Sequence, residues 1–137
     1  MHEVSSEETA GEDGAATNAI DGNPSTIWHT RWQDGQPGFP HHITIDLGAG
    51  YDVTGLEYLP RQNGSNGRFK EHAITVSVDG ETWGDPVATG EFTSALTPQT
   101  VTWPEAAGRY VRLTGLSSIN GSAFGGAAEI NLGGTPH

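Results

Sequence analysis

The chain has 137 residues, no cysteine, and 17 acidic against 6 basic residues, a formal net charge of -11. That length fits one domain with one sizeable core. The acid excess argues against nucleic acid, whose phosphates need Lys and Arg, and against charge-driven binding to an anionic membrane. The missing cysteine excludes a disulfide framework, a thiolate zinc site and a cysteine nucleophile.

Residues 1–13 hold Glu3, Glu7, Glu8, Glu12 and Asp13 with almost nothing apolar, and read as a flexible, solvated lead-in. Met1-His2 reads as the opening of a unit excised from something longer, with no signal peptide and no apolar run of membrane-spanning length. Ala15–Ile20 can form one turn of helix. From there period-two alternation dominates. Ile43, Ile45 and Leu47 share one face, as do Ile74, Val76 and Val78, then Val111 and Leu113, then Ala128, Ile130 and Leu132. Val53 to Leu59 and Gln99 to Trp103 are predicted strands with less regular alternation. Asp79-Gly80 predicts a tight turn with positive φ, hence a hairpin. Gly133 to His137 reads as a linker stub, so the folded unit spans 14–132. About eight short strands, with 20 Gly and 8 Pro for the turns, predict a sandwich or jelly roll.

Two groups of residues invite a chemical reading. Asp21, Asn23 and Thr26 crowd oxygens into one short loop, which suits either a hard cation or a plain Asx turn; spacing alone leaves both open. Trp32 and Phe124 lie in polar or Gly-rich loops outside the alternating strands. Each is either an exposed platform or a cap on the core. Trp28, next to Ile27, reads as core.

Several segments together resemble the coagulation factor 5/8 type C (discoidin) superfamily, and within it carbohydrate-binding module family 32. They are Asn18-Ala19-Ile20-Asp21-Gly22-Asn23-Pro24-Ser25-Thr26-Ile27-Trp28-His29-Thr30, Ile43 to Gly48, Tyr58 to Gln62, Val76 to Gly84, Arg109 to Leu113 and Ala127 to Ile130. In order they cover nearly all of residues 15–132. The resemblance implies an all-β, eight-stranded jelly-roll β-sandwich. It implies a structural Ca2+ held by Asn18, Asp21, Asn23, Thr26, Ala128 and Glu129. It also implies a shallow site for terminal galactose, N-acetylgalactosamine or galactosides. There Trp32 and Phe124 would cradle the sugar, His29 and Arg61 would read the axial hydroxyl at carbon 4, and Asn66 would complete the set. Asn63 and Arg68 are alternatives to Asn66. His41 and His42, which precede a strand, read as rim or structural groups, and His72 gets no role.

A module of this kind is not an enzyme. Glycoside hydrolysis needs two carboxylates flanking a cleft, and the site loops offer only Asp34. The resemblance further implies a monomeric unit tethered to a catalytic domain and an extracellular location. The competing readings are a phospholipid-binding discoidin-type module, for which Trp32 and Phe39 would be the apolar tips, and a protein-binding one.

Overall fold

A computed structural model describes residues 3–33 and 35–136. The described residues form eight strands and one 3-10 helix: β1 (Glu3–Val4), the helix (Ala16–Ile20), β2 (Trp28–His29), β3 (His41–Leu59), β4 (Glu71–Ser77), β5 (Ala88–Glu91), β6 (Gln99–Gly115), β7 (Gly126–Ala127) and β8 (Glu129–Pro136). The architecture is an all-β sandwich, as expected.

Its frame is one long antiparallel ribbon of β3 and β6, paired from His41↔Gly115 to Tyr58↔Gln99. The pairing register shifts between Asp46 and Tyr51, where Gly48 takes a φ of 83° and donates its N–H to the Asp46 carboxylate. The ribbon contributes to two layers across this break. The first half of β3 is flanked by β1, with β4 and then β5 beyond β6; the second half of β3 is flanked by β8. This is why four predicted strands appear as two. Ile43–Leu47 and Val53–Leu59 are one bent strand, as are Gln99–Trp103 and Tyr110–Thr114.

The alternating residues face inward from both layers, with one correction: Val78 lies beyond the end of β4 and is exposed, so it does not share the face of Ile74 and Val76. Ile43, Ile74, Val111 and Leu113 join Val53, Leu56, Tyr58, Trp103 and Ile130 in a single core. Fully burying each such aliphatic side chain contributes about 1.5–3 kcal/mol. The irregular alternation after Val53 has a local cause. A second register shift between Val53 and Gly55 moves the inward face from odd to even positions, so Leu56 and Tyr58 continue what Val53 began. Trp28 is core, as read from sequence. Gly80 does adopt positive φ, 77°, but β4 and β5 are joined through residues 78–87 and not by a two-residue turn.

The structure corrects both chain ends. Residues 3–13 are not a solvated lead-in. Val4 pairs with Ile43, Ser5 N–H bonds the His42 carbonyl, and Glu3 Oε1 accepts from His42 Nε2 and Arg112 Nη2. Glu8 is only 1% exposed. Backbone pairing and carboxylate-to-amide bonds hold this segment, and composition does not register either. Residues 133–136 are not a linker stub, because they extend β8 along β3 as far as Pro136↔Tyr51. Met1, His2 and His137 lie outside the described residues.

Candidate functional site

Three loops are drawn together at one end of the sandwich by the short ribbon of β2 and β7, which pairs Trp28 with Ala127 and His29 with Gly126. Thr30 extends that link: its N–H bonds the Gly125 carbonyl, and its hydroxyl accepts from Gly125 N–H. Tyr58, fully buried, ties in the third loop. Its hydroxyl donates to the Gly126 carbonyl at 2.6 Å and accepts from Phe69 N–H at 3.1 Å.

The loops enclose a shallow depression of about 300 Å3 lined by Glu12, His29, Trp32, Gln36, Arg61, Asn66 and Phe124. All five side chains singled out in the sequence are on this lining. Of the three residues weighed for the second loop, only Asn66 lines it; Asn63 is exposed, and Arg68 Nε supports the loop by donating to the Arg61 carbonyl at 3.0 Å.

The polar atoms are held in definite states. His29 Nδ1 lies 2.7 Å from the Thr30 carbonyl, which only accepts, so Nδ1 carries a proton. In the neutral ring Nε2 is then an acceptor. Gly67, with φ of 83°, lies against the Cδ2–Nε2 edge, where a Cβ would come within 3.2 Å of Nε2. A larger residue at 67 would cover that lone pair. Arg61 Nη1 reaches the Asn66 carbonyl at 3.4 Å, while its Nε is buried without a hydrogen-bond partner. Asn66 Oδ1 accepts from Asn120 Nδ2 at 2.8 Å, which leaves the Asn66 amide N–H groups for another acceptor. The Phe124 ring packs 5.4 Å from the His29 ring.

Sequence reasoning missed Glu12 and Gln36. Glu12 Oε1 accepts from the Trp32 indole N–H at 2.8 Å and stands 3.9 Å from His29 Nδ1. A lone acid in a segment read as solvated gave no signal. His41, read as a rim or structural group, is buried, and its Nε2 donates to the Ala123 carbonyl at 2.6 Å, directly before Phe124. Asp34 lies outside the described residues. Phe39 is turned inward against His41 and Phe69, so it is not an exposed tip.

The second group of predicted residues lies where the loop after the 3-10 helix meets the start of β8. Asp21 Oδ2 accepts from the Thr26 hydroxyl, Asp21 Oδ1 from Asn23 N–H, and Thr26 Oγ1 is also 3.0 Å from the Asn23 carbonyl. One hydroxyl proton cannot serve both acceptors fully. Glu129 points into this corner, 7% exposed, with Oε1 buried and unpartnered. Burial, and then the neighbouring Asp21 carboxylate, push the Glu129 carboxyl above its ordinary range, while the Thr26 hydroxyl first and Asn23 N–H second hold Asp21 below. Two interacting carboxylates, with a hydroxyl and a carbonyl on the same loop and one carboxylate oxygen orphaned, are the kind of oxygen donors a hard divalent cation takes. Asn18 bonds through its side chain to the Asp13 and Ile27 carbonyls, and Ala128 is held by its N–H on Leu59. Both therefore keep to backbone-carbonyl roles, if any, toward such an ion.

Residues 2–130 match the F5/8 type C domain model. The chain is 47% identical over 133 residues to a sialidase of Micromonospora viridifaciens, covering 96% of this chain and 21% of that protein. Among solved structures it is similar to a family 32 carbohydrate-binding module from Clostridium perfringens in complex with GalNAc-β-1,3-galactose. That match has a TM-score of 0.87 and 31% identity, covering 95% of this chain and 91% of the other. A second family 32 module from C. perfringens, in complex with galactose, gives a TM-score of 0.81 at 28% identity, covering 95% and 90%. The chain thus spans about a fifth of the length of the sialidase it matches.

Proposed function

The chain belongs to the F5/8 type C domain family as a non-catalytic family 32 carbohydrate-binding module, and from that premise we propose that it binds terminal galactose-type sugars in the His29–Trp32–Arg61–Asn66–Phe124 depression. The observation that carries this reading is the convergence of five polar and aromatic side chains from three separate loops on one lining. A hexose offers hydroxyls around an apolar C–H face, so its receptor wants fixed donors and acceptors beside aromatic rings. His29 Nε2 accepts from the axial hydroxyl at carbon 4, and the Arg61 guanidinium donates to a sugar oxygen. Asn66 donates from its amide, and Glu12 accepts through the carboxylate oxygen not used by Trp32. Trp32 and Phe124 cover the apolar face.

Such a site binds weakly. A millimolar dissociation constant corresponds to about 4 kcal/mol, so useful retention comes from multivalent glycans or from a tethered catalytic domain. Extracellular carbohydrate-degrading or carbohydrate-oxidising enzymes are the parents this implies. Asp21, Asn23, Thr26 and Glu129, with the Asn18 and Ala128 carbonyls, would hold Ca2+ between the N-terminal loop and β8. The ion would supply charge neutralisation and a cross-link, a stabilising and not a catalytic role. The phospholipid reading is weakened because one of its two apolar tips, Phe39, is packed inward.

A glycan array probed with the labelled module tests the proposal. Retention on galactose- and N-acetylgalactosamine-terminated glycans, and not on glucose- or mannose-terminated ones, is expected. An array that lights only non-galactose glycans, or none, would overturn it.

A further inference from the structure

We propose that Glu8 is a positioning residue for the sugar site, fixing Trp32 through the backbone; this rests on the reading of the depression given above. One buried carboxylate accepts four backbone N–H groups. Glu8 Oε2 takes Ala10 N–H at 2.9 Å and Gly11 N–H at 2.7 Å, and Oε1 takes Trp32 N–H at 2.9 Å and Gln33 N–H at 2.7 Å. Two of these donors belong to its own turn and two to the loop that carries the aromatic platform. The carboxylate therefore clamps one segment to the other, more than twenty positions apart in the chain.

The turn it stabilises then holds the indole itself. Gly11 lies against the Trp32 ring, so close that an added Cβ would overlap Cη2 and fall 2.7 Å from Cζ2. Glu12 follows and takes the indole N–H. Backbone, benzo end of the ring and ring nitrogen of Trp32 are thus each set by one of Glu8, Gly11 and Glu12. Around the clamp, Glu8 N–H bonds the His29 carbonyl, and Gly14 N–H bonds the Glu8 carbonyl. The strap thereby also touches the residue that reads the sugar hydroxyl. A carboxylate with four amide donors is strongly favoured as the anion, and the Gly11 N–H above all holds the Glu8 carboxyl at about 2. The clamp stays ionised through the whole mildly acidic range.

An aromatic platform that recognises a sugar must keep its face at a fixed angle, since stacking energy falls quickly when the ring tilts away. A loop residue alone has no means of ensuring this. The acidic segment provides it through hydrogen bonds of its carboxylates and a close glycine contact.

The test is the indole N–H spectrum of the 15N-labelled module, in which four tryptophans give four signals, the Trp32 signal being identified as the one lost in Trp32→Phe. Glu8→Gln keeps the shape but turns an amide donor toward backbone donors. It is expected to shift or broaden the Trp32 signal without sugar present, to leave those of Trp83 and Trp103 in place, and to weaken galactose binding at least tenfold. A lowered melting temperature with unchanged Trp32 signal and unchanged affinity would reduce Glu8 to a stability residue and overturn the proposal. Should Glu8→Gln fail to fold, Gly11→Ala presses a methyl against the indole. Movement of the Trp32 signal with loss of affinity is expected there, and an unmoved signal overturns the proposal. If the wild type binds no galactose, the sugar reading fails, and the Trp32 signal still decides the role of Glu8.

Discussion

The sugar depression and the Asp21–Glu129 corner each hold a buried polar atom that the protein leaves unpaired, and the two atoms are of opposite kind. In the depression it is a donor, Arg61 Nε; in the corner it is an acceptor, Glu129 Oε1. Arg61 Nε is shut off against the Gly64 turn, and what the Arg61 side chain offers the depression is a charged guanidinium suited to a sugar's oxygens. A buried carboxylate oxygen beside a second carboxylate wants a cation. The surroundings follow the same division. The depression is assembled from loops far apart in sequence and flanked by rings, whereas the corner comes from one six-residue loop and one strand residue. On the proposed reading the depression takes a sugar and the corner a cation.

The largest expected effect breaks the first half of this comparison. Arg61→Ala removes hydrogen bonds from a charged donor, which are worth about 1.5–3 kcal/mol, so galactose affinity should fall about 10- to 150-fold. Calorimetry should then detect no binding, while the melting temperature in calcium stays close to wild type. Retained affinity in the variant would remove Arg61 from the site.

Next comes the corner. A bound ion at a thousand times its dissociation constant stabilises by about 4 kcal/mol, and a domain of this size shifts by roughly 2–8 °C per kcal/mol. Chelation should lower the melting temperature by on the order of 10 °C, and added calcium should restore it. Glu129→Gln should melt at one temperature with or without calcium. An unchanged melting curve after chelation, with no metal found by elemental analysis, would leave the corner as a plain Asx turn.

A smaller effect uses a third unpaired atom that belongs to neither site. His72 Nε2 is buried without a partner, and the His72 ring stacks on Phe92 with centroids 3.9 Å apart. Burial lowers its affinity for a proton below the ordinary 6.5, and the Lys70 carbonyl opposes this only in part. A folded value below the unfolded one means that stability is present above about pH 6.5 and is lost as pH falls through the folded value. His41, lowered chiefly by burial, acts in the same direction. The melting temperature should therefore drop between about pH 7.5 and pH 5.5, and His72→Phe should shrink that drop without abolishing it. An equal drop in the variant would assign the acid sensitivity to other groups.

Much of this was legible in the chain. The alternation around Ile43, Ile74, Val111 and Ile130 marks the core faces, although around Ile74 it overruns the strand, since Val78 lies past the end of β4 and is exposed. Trp32 and Phe124 stand outside any alternation, which left platform and core cap both open; the family resemblance pointed them to the site. The bend that fuses four predicted strands into two was not legible, because a register shift at Asp46–Tyr51 leaves the flanking patterns intact. Nor was the work of the acidic segment. Glu8 and Glu12 act through backbone amides and an indole N–H that come into reach only after folding, and composition ranks such residues as solvent-exposed. His41 was hidden for the same reason, its partner being a carbonyl 82 positions away.

The central claim is that the depression reads the axial hydroxyl of galactose. It is tested most directly by isothermal titration of the calcium-loaded module with galactose and, in parallel, with glucose, which differs only at that hydroxyl. Saturable heat with galactose, at a dissociation constant near or below millimolar, and none with glucose is the predicted result. Equal binding of the two sugars, or silence with both from a folded sample, would contradict it.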